Sequence, residues 1–502
     1  MQCAWGRRSC GLVGSPIYGA LVTAGPTDTA VPRGTVIALD RRARSLDDGA
    51  VLLGGAPPRL LHLAPTARAH LADGRLTVSD ATSAALARRL LDAGIAHMVV
   101  VPASPSASEV TVVVPVKDRL VGLRRLLDAL PSGLGGLVVV DDGSADTDAV
   151  RALVAGARGR MLRHPTPRGP AAARNAGLGV ADTPLVAFLD SDVVPEPGWL
   201  APLLAACADP AVGLVAPRIV GLPVSGWLGQ YEAVRSSLDL GPDPALVVPR
   251  SRVAYVPSAA LLARRAAVGT GFDEALHVAE DVDLVLRLHE AGWRVRYEPG
   301  ARVAHEHRTT LRAWWVRKAF YGTGAAPLAL RHRGAVPPLV LSPSAATIAA
   351  LLLLARPRAL LAAIAVGAVA SERLARRLDR VRRPRRTAAW LIGLGALGAA
   401  RQAADAVTRH YWPLSVTLSI VSRRARRTVA AIAVADGVLD WLRYRRRDDS
   451  ARPGLASYIL ARRLDDLAYG AGLWWGAARH RTLAPLVPTA LKIDPASRAV
   501  RR

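Results

Sequence analysis

Three apolar, largely β-branched runs each end in acidic residues: Val110-Thr111-Val112-Val113-Val114-Pro115-Val116-Lys117-Asp118, Leu137-Val138-Val139-Val140-Asp141-Asp142-Gly143-Ser144 and Leu185-Val186-Ala187-Phe188-Leu189-Asp190-Ser191-Asp192. Continuous runs of this kind read as strands buried on both faces, as in parallel sheets, and the carboxyl ends of such strands line the crevice where α/β sheets bind ligands. Between the first two runs Leu123, Leu126, Leu127 and Leu130 recur at helical spacing. Strand, helix, strand in this order makes a right-handed parallel unit, with Asp118 and Asp142 at neighbouring tips and Gly143-Ser144 in the turn behind. The pattern points to an enzyme that holds a nucleotide and a metal ion.

Asp-x-Asp occurs three times, at 146/148, 190/192 and 281/283. Carboxylates two residues apart in a loop can hold a hard divalent cation together with substrate phosphates. The setting separates the three: Asp146 and Asp148 fit the cap of a following helix, whereas Asp190 and Asp192 directly follow a buried strand. Glu280, Asp281 and Asp283 open a helix expected over Val282 to Ala291, where negative charge favours the positive end of the dipole. Asp283 has Arg287 four residues on as a partner. Asp281 is harder to explain as a cap, since one carboxylate suffices and three repel. Trp293–Tyr297 and Arg302–Ala304 alternate like a half-exposed strand pair before His305-Glu306-His307-Arg308.

Val113-Val114-Pro115, Val139-Val140-Asp141-Asp142-Gly143-Ser144, Ala173-Arg174-Asn175-Ala176-Gly177, Leu189-Asp190-Ser191-Asp192 and Ala279-Glu280-Asp281-Val282-Asp283-Leu284 stand in an order that resembles the family 2 glycosyltransferases. The resemblance covers residues 109 to 305 and implies the GT-A fold, an α/β architecture with a mixed, mainly parallel sheet. It implies Asp118 and Asp142 on the uridine, Arg174 near the nucleotide, Asp192 on Mn²⁺ or Mg²⁺ with Asp190 beside it toward the nucleotide sugar, and Asp281 as catalytic base. It also implies a histidine ligand to the metal, His305 first and His307 as the alternative; a surface histidine bonded to Glu306 is the other reading. An inverting transfer then needs one base and one cation, and no covalent nucleophile.

The flanks Pro57-Pro58-Arg59-Leu60-Leu61-His62-Leu63, Leu91-Asp92-Ala93-Gly94-Ile95-Ala96-His97 and Ala319-Phe320-Tyr321-Gly322-Thr323-Gly324-Ala325-Ala326 are similar to those of mycofactocin-biosynthesis glycosyltransferases. That narrower family implies glucose transfer from UDP-glucose, repeated, to premycofactocin, a redox cofactor precursor made from a ribosomal peptide. A family 2 enzyme for a lipid-linked or envelope glycan, and a nucleotide-sugar-binding peptide scaffold without turnover, are the alternatives. Residues 34 to 101 read as a separate winged-helix-like α+β module, with strands at Thr35–Leu39, Val51–Leu53 and Leu60–Leu63 and helices from Thr66 and Ser83. Such modules hold precursor peptides, and a structural cap on the catalytic domain is an equal reading. Pro102-Ala103-Ser104-Pro105-Ser106 marks the linker.

Charge is uneven along the 502 residues: 306 to 502 hold 35 basic and 11 acidic side chains, against 31 and 29 before them. This basic, helical C-terminal region alternates apolar blocks (337 to 355, 359 to 370, 387 to 400, 411 to 421, 428 to 442) with arginine clusters at 373 to 386, 423 to 427 and 443 to 447. Single crossings by every block would put the clusters on opposite sides of a membrane, against the positive-inside tendency. Helices lying at, or re-entering from, an anionic cytoplasmic leaflet fit better. Nucleic acid is not expected, because a nucleic-acid arm is usually polar throughout. Cys3, Cys10 and Cys207 are too few and scattered for a disulfide framework, which suits a reducing cytoplasm. Residues 1 to 33 are expected to be disordered and show no signal peptide.

Overall fold

The computed structural model describes residues 23, 25–26, 29–308, 310–354, 356–444 and 453–490. The central sheet has, among these, nine strands in the order Val193–Pro195, Arg294–His305, Val212–Gly221, Ala260–Arg264, Leu185–Leu189, Val110–Val116, Gly136–Asp141 and Arg160–Arg163, with Ala245–Leu246 beside Arg294–His305. Val110–Val116 lies parallel to both Leu185–Leu189 and Gly136–Asp141, so the acidic tips point the same way. Ala260–Arg264 is antiparallel to both its neighbours and makes the sheet mixed. All seven residues of Val110–Val116 are buried, as a two-faced strand requires. Helices Leu120–Asp128, Thr147–Gly156 and Leu200–Cys207 cover one face. Pro170–Gly179 and Glu280–Glu290 cover the other.

The expected strand pair at 293 to 304 is instead one strand, Arg294–His305. Pro299-Gly300 reads as a turn in sequence, but the chain only shifts register there, opposite Pro217 and Arg218, and runs on. This delivers His305 opposite Val193, just after the Asp190-Ser191-Asp192 loop.

The N-terminal module consists of two three-stranded antiparallel sheets: Arg75–Thr77, Val36–Leu39 and Ala96–Val100, and Arg44–Leu46, Val51–Gly54 and Arg59–His62. Its long helix, Ala81–Asp92, starts on a capping box between Asp80 and Ser83. Arg88 binds Asp209 at 2.8 Å and Asp92 pairs with Arg294, which fasten the module to the catalytic domain. Thr23 and Gly25, within the segment expected to be disordered, donate to the carbonyls of Ala267 and Ala291, and Val31 is buried. Residues 1–22, with Cys3 and Cys10, lie outside the described residues.

In the C-terminal region helix ends fall within or beside the arginine clusters. Pro357–Ala375, Pro384–Asp405 and Arg423–Tyr444 run into or out of them, and residues 445–447 of the last cluster lie outside the described residues. No helix among the described residues is long and apolar enough to cross a membrane. Two helices leave this group and join the catalytic domain: Leu311–Thr323 and Leu455–Arg479. They cross so closely that a Cβ on Gly472 would collide with the Ala319 carbonyl, and one on Gly322 with the Tyr469 carbonyl. Trp314 Nε1 donates to Glu232 at 2.8 Å and Tyr231 to Asp465 at 3.0 Å, both across the junction.

A second junction forms at His332, whose ring reaches Asp283 at 2.9 Å and Glu290 at 3.0 Å on helix Glu280–Glu290. Burial disfavours the imidazolium, yet the two carboxylates prevail and push its pKa up to about 9. A group raised in the folded state stabilises fully below its unfolded value near 6.5, and that stabilisation is lost as pH rises through about 9. His332→Gln is therefore expected to cost on the order of 1–3 kcal/mol at pH 6. By pH 9.5 denaturant melts of the two proteins should nearly coincide. A constant gap across this range contradicts the pairing.

Candidate active site

The carboxyl ends of Val110–Val116 and Leu185–Leu189 open into a cavity of about 550 Å³ that also takes in the start of helix Glu280–Glu290. Gly122 makes the approach of helix Leu120–Asp128 possible: a Cβ there would strike the Ser191 carbonyl. The loop Asp190-Ser191-Asp192 is thereby pressed against the cavity.

Arg174 sits between two elements. Its Nη2 donates to Asp190 at 2.6 Å and its Nη1 to Glu280 at 2.9 Å, with only 2% of its side chain exposed. Burial opposes the charge, but the two carboxylates more than offset it and hold the guanidinium ionised. Asp190 thus gives one oxygen to Arg174, where the sequence had placed it beside Asp192 on the metal. Glu280, read in sequence only as helix-end charge, is the other half of this bridge.

Asp192 faces His305. Oδ1 and Nε2 lie 3.6 Å apart, too far for a hydrogen bond yet the spacing of two ligands each about 2.1 Å from one cation. His305 Nδ1 is buried without a partner. Burial outweighs the pull of Asp192 and Asp190 and lowers the His305 pKa, leaving the neutral ring that a ligand must be. His307 turns the other way, 3.5 Å from Glu232, with burial taking it down to about 4. Glu306 pairs with Arg125 and Arg119 rather than with a histidine. Among the described residues no group of three or more His, Cys, Asp or Glu side chains is spaced to hold an ion. Asp192 and His305 therefore fit a cation that takes its other ligands from phosphate and water.

Asp281 lines the cavity with Oδ2 accepting from the Ser258 amide at 3.0 Å and Oδ1 from Val282 at 2.8 Å. The residue before the helix, Ala279, is left-handed (φ 65°) and offers no side-chain cap. Burial, then the neighbouring Glu280, push Asp281 up to about 6, the range of a working general base. Asp283, as expected, pairs with Arg287 at 2.7 Å in the interior and is structural. Asp146 caps its helix through Ala149, as its spacing suggested.

Two expected uridine contacts look different in three dimensions. Asp142 lines the cavity, but its carboxylate already accepts from His164 Nδ1 and the amides of Arg168 and Gly169, all at 2.8 Å. Asp118 is exposed outside the cavity lining, and its Oδ1 accepts from Ala145 at 2.8 Å. Both carboxylates hold the loops that shape the pocket.

The far wall was missed in sequence. Arg317, Lys318 and Tyr321 from helix Leu311–Thr323, Arg409, and Tyr469 from Leu455–Arg479 all line the cavity. Lys318 binds Glu232 at 2.9 Å, and Arg409 lies 3.6 Å from Asp465 and 3.3 Å from Asp466. One signal was available: Lys318 is one of three lysines in a chain that otherwise uses arginine.

The family model described as glycosyl transferase family 2 matches residues 111–267. The pre-mycofactocin glycosyltransferase of Mycobacterium tuberculosis (strain H37Rv) is 50% identical over 469 residues, covering 92% of this chain and 99% of that protein. The succinoglycan biosynthesis protein ExoO of Rhizobium meliloti is 31% identical over 219 residues, 40% of this chain and 61% of that protein. A solved mannosyltransferase from Pyrobaculum calidifontis, in complex with GDP-Man and Mn²⁺, covers 76% of this chain and 92% of its own at 18% identity and a TM-score of 0.40. An acidic helix start and an acidic loop meet in one cavity at the ends of a mixed sheet, and a relative half identical spans nearly the whole length: the chain belongs to glycosyltransferase family 2, with its GT-A fold, and is a glycosyltransferase.

Proposed function

We propose that this enzyme transfers glucose from UDP-glucose to a premycofactocin-type acceptor with inversion, repeatedly, with Mn²⁺ or Mg²⁺ as cofactor. The observation that carries the reaction type is Asp281, a cavity carboxylate brought to about 6 by burial and Glu280. The acceptor hydroxyl gives its proton to Asp281 as its oxygen attacks the anomeric carbon, and the bond to UDP breaks on the opposite face. A divalent cation held by Asp192 and His305 would neutralise the departing diphosphate. Arg119, 3.7 Å from Asp192, adds fixed positive charge there. The near-full-length likeness to the pre-mycofactocin glycosyltransferase supports the acceptor. Incubating isolated premycofactocin with UDP-glucose should add hexose mass increments; no increment, with transfer to a polyprenyl-linked acceptor instead, would favour the envelope-glycan alternative.

The C-terminal region supports a membrane partner on the cytoplasmic side. Leu361 (68% exposed), Ile364 (61%), Ile420 (74%) and Val421 (77%) present apolar groups, and Arg423, Arg424, Arg426 and Arg427 follow directly. Apolar insertion beside basic charge suits anionic lipid. The full chain should co-sediment with phosphatidylserine-containing vesicles at low salt and be released by high salt. Binding to RNA with none to vesicles reverses this reading.

Asp281→Asn should lower kcat by about 10² to 10⁴. The amide can still accept from one of the two backbone donors, so the fold is expected to lose about 1 kcal/mol at most. In the wild type kcat/KM should fall as pH drops through about 6, because Asp281 must be ionised to act. Near-normal turnover in the variant eliminates the base assignment.

Asp192→Ala should abolish turnover and weaken UDP binding only when Mn²⁺ or Mg²⁺ is present. Calorimetric titration of UDP with and without the cation decides this, and equal wild-type affinities in the two conditions count against a metal role.

A further inference from the structure

The base, the metal-facing pair and the Arg174 bridge account for the part of the cavity built by the catalytic domain. The remaining wall combines three cations, Arg317, Lys318 and Arg409, with tyrosine rings. Tyr321 and Tyr469 line it from the C-terminal helices and Tyr255 from the catalytic domain, together with Asp281. Two of these rings are held by cations: the Arg409 guanidinium lies 4.0 Å over Tyr469, and Arg317 Nε donates to the Tyr321 hydroxyl at 3.0 Å. The His410 ring meets Tyr469 edge-on at 6.2 Å. Tyr255 is 39% exposed, and its hydroxyl is a neutral donor at working pH.

Fixed aromatic faces bind flat apolar groups at low entropic cost. They do not attract a diphosphate, and two of the three cations on this wall are already matched, Arg409 by Asp465 and Asp466 and Lys318 by Glu232, which leaves Arg317, in the field of Asp190 and Asp192, on the donor side. The tyrosine part of the wall therefore suits the acceptor rather than the donor.

We propose that Tyr469, with Tyr255 and Tyr321, is the acceptor platform: a flat acceptor group stacks there with its hydroxyl toward Asp281, whether that group is a ring of the aglycone or the apolar face of a sugar already attached. The platform rests on the glycosyl-transfer reading above and adds that residues far beyond the catalytic domain choose the acceptor.

The test is steady-state kinetics of full-length Tyr469→Ala and Tyr469→Phe with UDP-glucose and two acceptors, premycofactocin and its monoglucosylated form. Tyr469→Ala should raise acceptor KM by about tenfold or more for at least one of them, with the UDP-glucose KM moving less than about threefold. Tyr469→Phe, which keeps the ring, should stay within about threefold of wild type for both. A rise confined to premycofactocin assigns the platform to the aglycone, and one confined to the glucosylated form assigns it to the sugar. If Tyr469→Ala melts early, Tyr469→Leu fills the space without a ring face and carries the same expectation. Unchanged acceptor KM for both acceptors, or a parallel rise in donor KM, overturns the platform alone. A wild type that glycosylates neither acceptor overturns the functional reading and the platform with it.

Discussion

The site depends on one buried cation. Arg174 reaches from helix Pro170–Gly179 to Asp190, at the end of the central strand Leu185–Leu189, and to Glu280, the first residue of helix Glu280–Glu290. Removing one partner from a buried pair costs about 3–5 kcal/mol, since the other charge is left uncompensated. The carboxylates proposed for the chemistry are close neighbours of these partners: Asp192 stands two positions beyond Asp190, and Asp281 one beyond Glu280. Arg174 therefore ties together the two segments that carry them without itself taking either proposed role. Burial and Glu280 raise the Asp281 carboxyl, and the Arg174 charge pulls against them.

Much of the catalytic core was legible in the chain because its signals are local. Apolar runs gave the buried strands, i,i+4 spacing gave Asp283 with Arg287, and the position of Asp146 before a helical pattern gave its cap. The Arg174–Glu280 bridge was not legible, since its partners lie 106 residues apart and nothing near Glu280 distinguishes it from ordinary helix-end charge. Asp118 and Asp142 show a different limit. A carboxylate at a strand tip signals a ligand site, yet only coordinates reveal that Ala145 donates to Asp118 and that His164, Arg168 and Gly169 donate to Asp142. The strand pair expected at 293 to 304 was one strand for a third reason: a register shift inside a long strand breaks the alternation much as a turn would.

The basic composition of the C-terminal region divides into two populations that a charge count merges. Arg409 and Arg462 are turned inward onto Asp405, Asp465 and Asp466, whereas Arg423 to Arg427 follow an exposed apolar helix end. Low-dielectric surroundings make the first group strong and specific partners, and solvent screens the second. The region is thus both a part of the catalytic cavity and a candidate for contact with a charged surface.

The crossing of Leu311–Thr323 and Leu455–Arg479, tight enough to require Gly322 and Gly472, has a consequence for the order in which the enzyme comes into being. Synthesis proceeds from the amino terminus, and the central sheet, the acidic loop and Asp281 all precede Leu311 in the chain. Until Leu455–Arg479 has emerged and docked, the cavity lacks the side that Tyr469 supplies. The last long helix to be made is thus the one that completes a cavity whose first residues, near Pro115, were made far earlier in synthesis.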